Sequence, residues 1–154
     1  MKILAKNKRA YFDYEIFDNF EAGVVLTGQE VKSAKTGGME LTSAYARITN
    51  EEVYLLNGHI KAYAHASNLE GYDPTQNRKL LLKKAEIKKL IGRIQEKGLT
   101  LLALEAYVKN GRIKIRLGLG RSKKKIDKRD LIKKRESDRK IGRATKNALR
   151  KSAR

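Results

Sequence analysis

The chain has no cysteine, so neither a disulfide framework nor a thiolate metal site is open to it, and its chemistry suits a reducing compartment. Histidine is scarce. His59 and His65 are the only two, and no carboxylate stands beside them at ligand spacing, so they read as surface or backbone-bonded imidazoles rather than zinc ligands. Long apolar runs are missing as well. The opening MKILAKNKRAYF is too poor in apolar residues for a signal peptide, and nothing approaches the roughly 20 apolar residues of a membrane span. Glu51-Glu52 is the only adjacent acidic pair. It falls at an expected hairpin tip, where both carboxylates stay solvated and ionised. Gly118-Leu119-Gly120 lacks the spacing of a phosphate-binding loop, and no Ser/His/Asp arrangement is visible. The expectation is a soluble cytoplasmic protein with no catalytic residue, no metal and no cofactor, hence not an enzyme.

Positive charge is abundant. In 154 residues there are 36 Lys and Arg against 17 Asp and Glu, a net charge of +19. Such a surface repels itself unless a polyanion neutralises it. The excess is concentrated: residues 121–154 hold 16 basic residues against 4 acidic ones. That tail contains no aromatic residue, so it lacks the anchors of a membrane-surface helix, and nucleic acid is the better partner. The chain length allows one domain plus an appendage, expected at 1–120 and 121–154.

The first 120 residues read mostly as strands. Tyr11 to Phe17 alternates loosely, and Gly23 to Gly28 is an apolar run bounded by glycines, as in a buried strand. Gln29 to Lys35 reads as a short helix stopped by Gly37-Gly38. Leu41 to Thr49 and Val53 to Tyr63 form an expected hairpin about Asn50-Glu51-Glu52. Asp73-Pro74 marks a loop. Ile87, Leu90, Ile91 and Ile94 make one apolar helix face, ended by Gly98. Leu99 to Lys109 and Arg112 to Leu119 flank Asn110-Gly111, the favoured type I′ pair; the glycines at 118 and 120 are expected to end the second strand and free the tail. Six or seven short strands with two helices predict a mainly β fold, an OB-like antiparallel barrel with flanking helices, a plain α+β sheet being the alternative. In the tail, Asp127 is expected to cap a helix that forms when phosphate neutralises it and is disordered when free.

Tyr11 and Tyr14 near Lys6, Lys8 and Arg9 place stacking faces beside cations, the combination that binds unpaired bases. An RNA-binding protein is the reading that follows.

Specific motifs narrow it. Asn7-Lys8-Arg9-Ala10, the run E-A-G-x-x-L-x-G-x-E-V-K-S from Glu21 to Ser33, Asp73-Pro74 with Arg78-Lys79-Leu80-Leu81-Leu82, and Asp127-Lys128-Arg129 resemble, in order, the small protein B (SmpB) family of tmRNA-binding ribosome-rescue proteins. The resemblance implies an OB-like barrel with a basic tail. It implies a monomeric adaptor that binds the tRNA-like portion of tmRNA and travels with elongation factor Tu to stalled ribosomes. There its tail would enter the small-subunit decoding centre and the empty mRNA channel. By motif, Asn7, Lys8, Arg9, Glu21, Leu81 and Lys114 are expected at tmRNA, with Asn7 reading base edges. Lys123, Lys124, Ile126, Lys128 and Arg129 are expected at the ribosome. The chain has Ser122-Lys123-Lys124 where the family usually has Gly-Lys-Lys, and Ile126 where an aromatic or His residue is common. A constitutive ribosomal protein and an RNA-processing enzyme are the competing functional classes.

Overall fold

The computed structural model describes residues 1–67, 69–123 and 125–152, with side chains for 1–67, 69–123, 129 and 131–143. The chain divides into two compact units, Met1–Arg121 and Ser122–Arg154. In chain order the elements are β1 (Lys2–Lys6), α1 (Lys8–Asp13), β2 (Tyr14–Val24), α2 (Gly28–Lys35), β3 (Met39–Glu40), β4 (Tyr45–Thr49), β5 (Glu52–Leu56), β6 (His59–Ile60), β7 (Arg78–Leu81), α3 (Lys84–Lys97), β8 (Thr100–Lys109), β9 (Arg112–Ser122) and α4 (Lys125–Ser152).

Seven strands form one sheet in the order β1-β8-β4-β5-β7-β2-β9, and β9 pairs again with β8. The sheet thus curls into an OB-like barrel, thinnest where Tyr45 alone pairs β4 to Leu102 of β8. Two local signals build it. Asn110 (φ 51°) and Gly111 (φ 73°) turn β8 into β9, and Asn50 (φ 51°) and Glu51 (φ 61°) turn β4 into β5, the two positive φ values that a type I′ hairpin turn needs. The apolar face of α3 then caps the barrel core. Ile87 and Leu90 are buried and Ile91 and Ile94 pack beside them, each buried side chain contributing about 1.5–3 kcal/mol. Gly98 ends the helix at φ 60°.

A bulge in β8 decides which residues face outward. Ala103 pairs with Leu117 and Glu105 with Arg116, leaving Leu104 as the extra residue. Before the bulge Leu101 and Ala103 enter the main core; after it Ala106 does. Unbroken alternation would have sent Glu105 and Tyr107 inward with Ala103; the bulge turns them to the outer wall. Leu104 itself joins Leu102 and Ala10 in a second small cluster beneath α1.

Several expectations are corrected. Tyr11 to Asp13 is helical, because Asn7 caps α1 and Ala10 docks on the Leu102–Leu104 cluster. The Gly23 to Gly28 run is not one strand: β2 stops at Val24, and Thr27 forms a capping box with Glu30 at the start of α2. Gly118 and Gly120 do not end β9 but lie buried inside it. A Cβ on Gly118 would stand 2.5 Å from Leu104 Cδ1, and one on Gly120 2.6 Å from the Glu15 carbonyl oxygen. The strand β1 has no counterpart in the sequence reading. In the tail, Asp127 lies inside the first turn of α4 rather than before it.

Candidate nucleic-acid interface

The outer wall made by β1, α1, β8 and β9 is organised around an acid. Glu105 is buried, and its carboxylate accepts from Arg116 Nη1 at 2.6 Å and from the Tyr11 hydroxyl at 3.3 Å. Lys6 Nζ lies 3.9 Å away and 5.4 Å from the centre of the Tyr11 ring. Arg116 in turn covers the Tyr107 ring at 5.5 Å. Burial, then the Glu105 charge, raises the Tyr11 phenol above its ordinary value. The acid therefore holds two cations and a phenol in fixed positions on a face where they would otherwise splay apart.

Next along the wall stands Glu21 on β2. It accepts from the Tyr107 hydroxyl, and Lys109 Nζ sits 3.3 Å from the same carboxylate. The Tyr107 bond chiefly holds the Glu21 carboxyl below the usual range; burial, second in size, opposes it, and Lys109 and the nearby charge of Lys114 add to the lowering. Tyr107 is pushed up to about 12, by burial first and the Glu21 bond second. Beside this group a hollow of about 260 Å³ is lined by Gly23, Val24, Leu26, Val31, Leu81, Gly111, Arg112, Ile113 and Lys114. Leu81 is half exposed there, at 52 %. The structure thus brings Leu81 and Lys114 to one hollow, with Glu21 two residues from Gly23 on its rim. An apolar floor with Lys114 and Arg112 at its edge suits a base or ribose packed on Leu81 with its phosphate outside.

Asn7 is placed elsewhere. It is buried, its Nδ2 donates to the Ala103 carbonyl at 2.9 Å, and its Oδ1 accepts from Ala10 N–H at 3.0 Å. The side chain is therefore not offered to a base edge; it pins the start of α1, which leaves Lys8 and Arg9 exposed. Arg78 is likewise internal. Its guanidinium meets Glu30 at 2.5 Å, the Gly58, Gln76 and Pro74 carbonyls, and the Tyr72 hydroxyl. Burial would raise the Glu30 carboxyl, but the Thr27 N–H, Arg78 and Gln76 together keep it below its ordinary value.

Sequence reading missed Glu105, Arg116, Lys109 and Arg112. The Asn110-Gly111 turn already fixes the pairs Lys109 with Arg112, Tyr107 with Lys114 and Glu105 with Arg116, which share one register; the bulge between Ala103 and Glu105, which no residue type announces, lies beyond them. Of the expected ribosome contacts, Lys123 follows β9 and is half-buried, and Arg129 is exposed on α4. Lys124 lies outside the described residues, as do the side chains of Ile126 and Lys128. Among the described residues no helix is long and apolar enough to cross a membrane.

A model of the SmpB protein family matches residues 4–147. The SsrA-binding protein of Thermosynechococcus vestitus is 47% identical over 146 residues, 95% of this chain and 96% of that protein. The SsrA-binding protein of Alkaliphilus metalliredigens is 51% identical over 140 residues, 91% of this chain and 88% of that one. A chain from a solved structure, "tmRNA-SmpB: a journey to the center of the bacterial ribosome", superposes with a TM-score of 0.66 at 43% identity, over 81% of this chain and 87% of that chain.

Proposed function

The chain belongs to the SmpB protein family, and on that premise we propose that it is a tmRNA-binding adaptor of trans-translation that delivers the RNA to stalled ribosomes. The carrying observation is the outer wall, where an apolar hollow at Leu81 stands beside cations held by Glu21 and Glu105. Folded RNA offers such a wall phosphates at intervals and exposed bases or riboses between them. Pre-placed Lys109 and Arg116 meet the phosphates without first losing side-chain freedom, Lys114 stands beside them at the hollow, and Leu81 gives the hollow its one exposed apolar contact. The barrel then selects the tRNA-like portion of tmRNA. The tail, with Lys123, Lys124, Ile126, Lys128 and Arg129 at its root, engages the decoding centre and the empty mRNA channel. The adaptor works as a cytoplasmic monomer, with elongation factor Tu in the delivery complex, and performs no chemistry of its own.

The test is binding to the isolated tRNA-like RNA by fluorescence anisotropy. Leu81→Ala with Lys114→Ala should weaken it at least tenfold, since one packed base contributes about 1–3 kcal/mol. Binding unchanged in that double variant, with the fold intact, would refute the assignment of this wall.

A further inference from the structure

The C-terminal end of α2 carries a second basic and aromatic surface, which shares no residue with the Leu81 hollow. The segment after β6 is tied to the helix at its root: Lys61 N–H donates to the Gly38 carbonyl at 2.8 Å, and the Ser33 hydroxyl donates to the Lys61 carbonyl. Gly38 permits this close approach, since a Cβ there would lie 2.2 Å from Ser33 Oγ. On the loop so fixed, Tyr63 and His65 meet edge to face, 5.5 Å between ring centres at 69°. Lys32 of α2 holds its ammonium 5.8 Å from the centre of the Tyr63 ring. Between Thr36-Gly37-Gly38 and Lys61 to His65 a hollow of about 320 Å³ opens, and no residue lining it is acidic. Lys32, Lys35, Lys61 and His65 are all exposed.

Lysines in the last turn of a helix oppose its dipole, and that alone would account for Lys32 and Lys35. It does not account for the paired rings or for an ammonium set over one of them. The Ser33 and Ala34 carbonyls near the end of α2 are moreover already satisfied, Ser33 by Thr36 and Gly38 N–H and Ala34 by Gly37 N–H. The hollow is at the small end of the roughly 300–1,000 Å³ that ligand sites occupy, too small for a duplex and suited to one nucleotide.

We propose that this surface is a second RNA contact that takes one unpaired nucleotide. The base packs on Tyr63 and His65, and its phosphate is met by Lys32, Lys35 and Lys61. Flat rings next to cations favour a nucleotide over an acidic peptide, whose carboxylates would use the lysines and leave the rings idle. The nucleotide has two possible sources, a loop of tmRNA or ribosomal RNA. The inference depends on the functional reading only for the class of ligand.

Two binding arms separate the sources: anisotropy with full-length tmRNA, and co-sedimentation with purified ribosomes, each at fixed salt. Tyr63→Ala with His65→Ala should lose about tenfold in one arm or both, the order of one lost base stack, while Tyr63→Phe should retain wild-type binding. The exposed pair Lys32→Ala with His65→Ala serves as a second variant should the first fail to fold. Loss with tmRNA alone assigns the nucleotide to tmRNA; loss with ribosomes alone assigns it to ribosomal RNA. Unchanged binding in both arms by folded variants overturns the proposal, as does Tyr63→Phe binding as weakly as the double variant Tyr63→Ala with His65→Ala. A wild-type chain that bound neither RNA would sink the functional reading as well.

Discussion

Arg78 has its five N–H donors engaged inside the fold, and Glu30 lies against it with both residues 3% exposed. This guanidinium, with Gln76 on the same carboxylate, holds the Asp73-Pro74 loop to α2. Arg78→Ala should cost about 3–5 kcal/mol in urea unfolding, because it leaves a buried carboxylate unpaired. The pH dependence should also weaken. In the wild type the Glu30 carboxyl is held low, so its contribution is present above the unfolded carboxyl value near pH 4.3 and lost on acidification. Without the guanidinium only the Thr27 N–H and Gln76 oppose burial, so the folded value should move up and the loss of stability on acidification should shrink; urea midpoints at pH 7 and 4.5 decide it. Tyr107 makes the mirror case. Its phenol is raised to about 12, so its contribution is complete below about pH 10 and lost as pH climbs through 12. Tyr107→Phe should remove that alkaline loss, and it should return the Glu21 carboxyl towards its ordinary value, read by carbon-13 titration.

Elements whose signals are local were legible in the sequence: the Asn110-Gly111 hairpin, α3 with its Gly98 stop, and α2 between Gln29 and Gly37. Those depending on distant partners were not. Helix α1 has six residues and buries only Ala10, so no apolar period announces it; its existence rests on Asn7 bonding to Ala103 across the fold. The outward turn of Glu105 rests on the bulge. Glu30, Ser33 and Arg78, which help carry the family motifs, are buried, so much of what makes the motif recognisable is architecture, and the residues proposed to face RNA are interleaved with it. Helix α4 is a different kind of element. Twelve basic residues stand in its 28 against four acidic ones, and among its described side chains Ile132 and Ile141 are exposed. A peptide of residues 121–154 should be largely coil by circular dichroism in dilute buffer. It should gain helix on adding RNA and lose that gain in high salt. A peptide already fully helical at low salt without RNA would contradict this account.

At the scale of the molecule, the two units divide the charge unequally. Removing residues 122–154 takes away 15 of the 36 basic residues and 4 of the 17 acidic ones, so the remaining barrel carries 21 against 13 and a net charge of +8. Were affinity for tmRNA a matter of total charge, the truncation would be ruinous. The outer wall argues otherwise, since Lys109, Lys114 and Arg116 and the Leu81 hollow are all retained, and acids within the barrel set the geometry of Lys109 and Arg116. The truncated protein should bind the tRNA-like RNA within about threefold of full length at physiological salt. The slope of log affinity against log salt measures the phosphates neutralised, at roughly 0.7–0.9 per contact. It should change little for that RNA and fall steeply for ribosomes. Peptide tagging on stalled ribosomes should be abolished, because no part of the barrel replaces a positively charged helix about 42 Å long at 1.5 Å per residue. If the truncated chain still supports tagging, the tail is not the ribosomal probe; if it loses tmRNA instead, the barrel wall is not the selector.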